Sequence, residues 1–151
     1  MARCEVVYPK GSAEDSAKYL LEVFVPMWGK FFERHKEKTG EELHVDIESF
    51  MAGWLSKRIQ LIMAYEDGEL VGFLPVLVGT FIFNYPTEFA HVEMWYGDTP
   101  EVEQALFEKA VEVARIRNID QMNVTSTRHY KLPDSLKFDE EKSFMLKRVI
   151  I

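Results

Sequence analysis

Ile59-Gln-Leu-Ile-Met-Ala-Tyr65, Glu66-Asp67-Gly68-Glu69 and Leu70-Val-Gly-Phe-Leu-Pro-Val-Leu-Val78 follow one another, two apolar runs around a glycine-containing turn. This pattern spells a β-hairpin. A third strand follows in Phe89-Ala-His-Val-Glu-Met-Trp-Tyr96. It runs through Gly97-Asp98-Thr99-Pro100 into a helix, Glu101 to Arg117, and then a further strand, Met122 to Thr125. Thr99 as N-cap and Pro100 at the first helical position form a strong start signal. Val102, Leu106, Ala110, Val113 and Ala114 recur at helical spacing and define the buried face. A helix that starts directly after a strand is a ready anion site, because its free N–H groups and dipole face one point. Here that point carries Asp98, Pro100, Glu101 and Glu103.

Upstream, Cys4 to Tyr8 reads as a short strand, and Ser12 or Ser16 as the cap of a helix. Tyr19, Leu20, Val23, Phe24, Met27, Phe31 and Phe32 lie on that helix, with Pro26 and Gly29 expected to kink or break it. Gly40 reads as its C-cap glycine. A second helix, about Asp46 to Lys57, places Ile47, Phe50, Met51, Trp54 and Leu55 on one stripe. The order is β, α, α, β, β, β, α, β, then a short irregular segment and a last strand, Ser143 to Ile150.

The 151 residues fit one domain, spanning residues 1–151, and can bury a core without disulfides or metal. A hydrophobic content of 47% argues against disorder. The net charge of −7 argues against a nucleic-acid surface and favours cationic partners or simple solubility. A single cysteine and no leader pattern point to the cytoplasm. No apolar run is long enough to span a bilayer. Cys4 has no paired histidine motif and reads as an incidental thiol. His35 and His44 lack ligand spacing, so no metal site is expected. Lys30 to Lys38 reads as a solvated helix end.

This order of elements, with Asn123, Arg128-His129-Tyr130, Leu136-Lys137-Phe138 and Phe144-Met145-Leu146-Lys147-Arg148, resembles the GCN5-related N-acetyltransferase (GNAT) superfamily. The resemblance covers most of the chain and is clearest from Ile59 to Val149. It implies an α/β (α+β) fold with a central mixed, mostly antiparallel sheet flanked by helices. It also implies an N-acyltransferase that moves an acetyl or acyl group from acyl-coenzyme A to a small-molecule or protein amine. By the same resemblance Glu93 would be the base, assisted by His91, and Tyr130 the acid that protonates the departing thiolate. Met94, Tyr96, Thr99, Glu101, Gln104 and Asn123 would border acetyl-coenzyme A. Strand Phe89 to Tyr96 would splay from Met122 to Thr125 to admit the pantetheine arm.

The chain departs from the family in its signature turn. The Arg/Gln-x-x-Gly-x-Gly/Ala loop that holds the coenzyme A pyrophosphate is replaced by Asp98 to Gln104, without a glycine, and Lys137 replaces the closing glycine. Glycines allow close approach and positive φ, and Pro100 removes a donor. Each acid at about 6 Å from a phosphate, at an effective dielectric near 20, costs roughly 3 kcal/mol before screening. The same acids equally well complement the helix dipole.

His91 and Glu93 alternate with Val92 and Met94, which with Trp95 and Tyr96 gives His91, Glu93 and Trp95 one common face. That is also the pattern of a polar pair on a solvated sheet face. Tyr130 stands farther from Phe138 than the family spacing, with Pro133 between, as a tyrosine packed at a strand end would. The acidic turn suits a second class: a GNAT-like domain, inactive and without coenzyme A, that binds a protein partner. Small bacteriophage members with eroded phosphate turns resemble this chain.

Overall fold

The computed structural model describes residues 1–80, 83, 85–125 and 132–133. Tyr130, the closing pattern and the expected last strand lie outside them. The elements are β1 (Arg3–Val7), α1 (Ala13–Tyr19), α2 (Val25–Thr39), α3 (Ile47–Leu55), β2 (Ile59–Glu66), β3 (Glu69–Thr80), β4 (Glu88–Val92), β5 (Tyr96–Gly97), α4 (Pro100–Ile116) and β6 (Met122–Val124).

The strands form one sheet in the order β1-β2-β3-β4-β6, with β5 also paired to β3. All pairs are antiparallel except β4 with β6. Asp67 (φ 50°) and Gly68 (φ 81°) turn the β2–β3 hairpin, the backbone sign that a two-residue turn between right-twisted strands requires. Alternation along β2 sends Ile62 and Ala64 to one face, and Leu61 and Met63 to the other. On the first face α4 packs through Val102, Leu106, Phe107 and Ala110. On the second lie Phe24, Trp28 and Phe31 from the long helix and Phe50 and Trp54 from α3. The indole of Trp54 donates to Val7 O (2.9 Å), tying α3 to β1.

The long helix differs from expectation in an instructive way. It starts at a Ser12–Asp15 capping box and is neither broken nor ended at Pro26 or Gly29. Instead Leu20–Phe24 forms a π-helical segment immediately before the proline, with Val25 N–H donating to Leu20 O. Widening the turn there takes up the proline's missing donor and ring clash. Gly40 (φ 74°) ends the helix as expected, its N–H donating to Lys36 O. The α3 stripe is narrower than its sequence pattern: Phe50 and Trp54 are buried, whereas Ile47 and Leu55 stay exposed at the rim.

Candidate active site

The expected single strand Phe89–Tyr96 is two strands with a slip between them. Leu77 pairs with His91 and Phe73 with Tyr96, so β3 advances four residues while its partner advances five. One extra residue makes a bulge and leaves Glu93-Met94-Trp95 outside the ladder. The cause lies in β3. Val78 N–H donates toward β2, to Arg58 O (2.7 Å), so by alternation position 75 directs its nitrogen toward β4. That position is Pro75, which has no N–H to give.

The slip overturns the predicted common face of His91, Glu93 and Trp95. Trp95 turns with Ala90 and Val92 to the α4 side, where its ring meets Phe107 edge-on at 5.1 Å. Met94 and Tyr96 turn to the other face. The expected splaying is also corrected in extent. β4 and β6 pair in parallel, Ala90 with Met122, His91 with Asn123 and Val92 with Val124, and Thr125 N–H closes the ladder on Val92 O (2.9 Å). Only past Val92 does the strand leave β6 without a ladder partner among the described residues.

Beside that opened segment lies a cleft of about 570 Å³. Glu93, Met94, Trp95 and Thr125 form one wall, Pro75 and Leu77 the floor, and Phe31, Phe50 and the loop Leu43–Asp46 the opposite wall. Glu93 is half exposed. His91 Nε2 stands 3.8 Å from a Glu93 oxygen and 3.3 Å from Thr125 Oγ1. Sequence reading brought His91 and Glu93 together correctly but missed Thr125, which only the β4–β6 register delivers.

A second cleft, about 460 Å³, lies at the start of α4. Thr99, Glu101 and Gln104 border it, as do Arg34 and Lys38 of α2. Gln104 donates to Glu108 (3.0 Å). Tyr96 and Asn123 line neither cleft. Tyr96 stacks on Phe73, lies under the Arg34 guanidinium (4.6 Å) and donates its hydroxyl to Asp98 (2.9 Å). Burial first, then the Asp98 hydrogen bond, pushes its phenol up to about 12. Asn123 is exposed on β6 and accepts from Gln121.

The run Lys30 to Lys38 is not simply a solvated helix end. Lys30, Arg34 and Lys38 recur every four residues, so they share the helix face turned to α4. Lys30 pairs with Asp98 (3.5 Å) and Arg34 with Glu103, and Arg34 also donates to Trp95 O (2.8 Å). Two of the three acids expected to repel a phosphate are thus already compensated, and that penalty shrinks toward Glu101's share.

The backbone cradle is nevertheless largely spent. Pro100 has no N–H, that of Val102 goes to Thr99 Oγ1 (3.3 Å) and that of Glu103 to Thr99 O (3.1 Å). Gly97 is the glycine the geometry needs, one residue before the expected turn. A Cβ there would meet Glu103 N at 2.9 Å and Glu103 Cγ at 2.7 Å, so only glycine lets α4 press this closely on β5. The cations that border the second cleft are Arg34, already bonded to Glu103 and the Trp95 carbonyl, and Lys38.

No family model and no curated protein matches the sequence. Solved structures do. A probable acetyltransferase aligns at 16% identity with a TM-score of 0.65, over 99% of this chain and 97% of its own. An aminoglycoside acetyltransferase from an uncultured soil metagenomic sample, in complex with trehalose, aligns at 12% identity and 0.60, over 97% of each chain. A predicted acetyltransferase from Clostridium acetobutylicum, with acetyl-CoA, aligns at 13% identity and 0.59, over 95% of this chain and 96% of its own. The chain has the GNAT acetyltransferase fold.

Proposed function

We propose that the protein is a GNAT-type N-acyltransferase that moves an acetyl or other acyl group from acyl-coenzyme A to an amine. One observation carries the reading: the slip at Glu93–Trp95 takes a strand edge out of the ladder and leaves a carboxylate at the mouth of an apolar cleft. The fold it shares with solved acetyltransferases supports the same conclusion.

Bound acyl-coenzyme A supplies an acyl carbon activated as a thioester. Arg34 and Lys38 would hold its diphosphate, and the edge at Glu93 and Met94 its pantetheine arm. Thr99, Glu101 and Gln104, which border the second cleft, would flank the diphosphate end. The chain's own part is proton removal and orientation. An amine is an ammonium ion at neutral pH and has no lone pair to offer until it loses a proton. Glu93 takes that proton first; the neutral nitrogen then bonds to the acyl carbon, the C–S bond breaks, and the second N–H proton is lost to solvent as the amide forms. His91, 3.8 Å from Glu93 and 3.3 Å from Thr125 Oγ1, acts as a positioning residue for that carboxylate. Tyr130 is proposed on sequence resemblance as the donor of a proton to the departing sulfur.

The test is acetyl transfer to primary amines followed by mass spectrometry. Glu93→Gln keeps the shape but cannot take a proton, and a general base is worth about 10²–10⁴ in rate. The variant should lose kcat by that factor with an unchanged melting temperature. Full activity in Glu93→Gln would remove Glu93 from the mechanism.

A further inference from the structure

We propose that the open edge of β1 pairs antiparallel with the same edge of a second copy of this chain, joining two sheets about a two-fold axis at Cys4. The proposal goes beyond the acyltransferase reading and does not depend on it. β1 ends the strand order, with β2 its neighbour on one side. Val78 N–H donates to Arg58 O, so along β2 the backbone groups of Leu61 and Met63 turn the other way, to β1. Their partners there are Val7 and Glu5. Cys4 and Val6, one step out of phase, direct their N–H and C=O groups outward, where no backbone partner meets them among the described residues. Such an edge is a template for another strand unless proline, a bulge or repelling charges blunt it. Arg3–Val7 contains no proline, and its register against β2 runs without a slip.

The charges choose the occupant. Arg3 and Glu5 alternate with Cys4 and share one face, both with exposed side chains. Cys4 and Val6 lie on the other face, against the core that α4 covers. Placing Cys4 opposite Cys4 sets Arg3 of each copy opposite Glu5 of the other, two cross-strand pairs of opposite sign. Sliding the copies by two residues brings Arg3 against Arg3 or Glu5 against Glu5, so the neighbouring registers are penalised. The strip that matches this edge is the edge itself, which is what a two-fold interface requires. Within one chain Arg3 and Glu5 also lie 3.6 Å apart, but an exposed pair contributes little to the fold, so either can be changed without unfolding it.

Sedimentation equilibrium of the full chain over a range of concentrations tests the proposal. A five-residue edge is a small interface, so the expected result is a reversible monomer–dimer equilibrium with a Kd between about ten micromolar and about one millimolar. Arg3→Glu alone, or Glu5→Arg alone, sets like charges opposite one another twice and should weaken the dimer about tenfold or more. An equimolar mixture of the two variants restores opposite signs at both pairs and should return the Kd to within about threefold of the natural protein's. A single monomeric species up to about 0.5 mM would overturn the proposal and leave the edge to a strand of a different protein. So would a dimer whose Kd is unmoved in both folded variants, or a mixture that associates no more tightly than either variant alone.

Discussion

Arg34 joins three parts of the molecule through one side chain. From α2 it reaches Glu103 on α4, the Trp95 carbonyl in the bulge and the face of the Tyr96 ring. Its side chain is only 20% exposed, so these bonds are little screened. Hydrogen bonds to charged groups contribute about 1.5–3 kcal/mol each, and truncation also leaves Glu103 half-buried without its cation. Arg34→Ala should therefore cost about 2–3 kcal/mol in urea unfolding. Arg34→Lys should recover less than half, because an ammonium cannot serve carboxylate, carbonyl and ring from one plane. The acidic start of α4 was legible in the sequence, whereas Lys30 to Lys38 read only as a solvated helix end. That the two face each other was not legible, because the pairing spans 69 residues and depends on how α2 and α4 sit at the two ends of the bulge.

At the scale of elements, periodic patterns read well and interruptions read poorly. The hairpin, the capped start of α4 and its face through Val102, Leu106 and Ala110 all follow from periods of 2 and 3.6. Leu106 is fully buried, so Leu106→Ala should destabilise by about 2–5 kcal/mol in chemical denaturation. The slip in Phe89–Tyr96 escaped the same method. Alternation counted along one strand assumes an unbroken ladder, whereas the cause lay in Pro75 on the neighbouring strand. Pro26 and Gly29 misled in the opposite direction. The helix absorbs the proline with a π-helical turn, and Gly29 sits in it exposed, with nothing within 4 Å of where a Cβ would stand. Gly29→Ala should accordingly raise stability by about 0.5–1 kcal/mol, seen as a higher melting temperature.

For the whole molecule, one sheet with a core on each face fixes the site by leaving a defect in the sheet. α4 covers one side and α1 to α3 the other, so the unpaired segment Glu93–Trp95 opens between two packed layers. In the proposed function the larger cleft would take the acceptor, and the diphosphate would lie in the second cleft beside the start of α4. The sequence displayed the fold class and the acidic turn. It did not display the compensation of that turn by α2, which turns a repulsive site into a nearly balanced one. Lys30, Arg34 and Lys38 stand against Asp98, Glu101 and Glu103. A balanced site without an amide cradle should bind acyl-coenzyme A, but loosely and with strong salt dependence. Isothermal titration of the natural protein with acetyl-coenzyme A tests this most directly. The account predicts one saturable site with a Kd between about ten micromolar and about one millimolar, roughly 7 to 4 kcal/mol, that weakens as salt is raised. No detectable binding at several millimolar would contradict it and leave a binding module that has lost the cofactor.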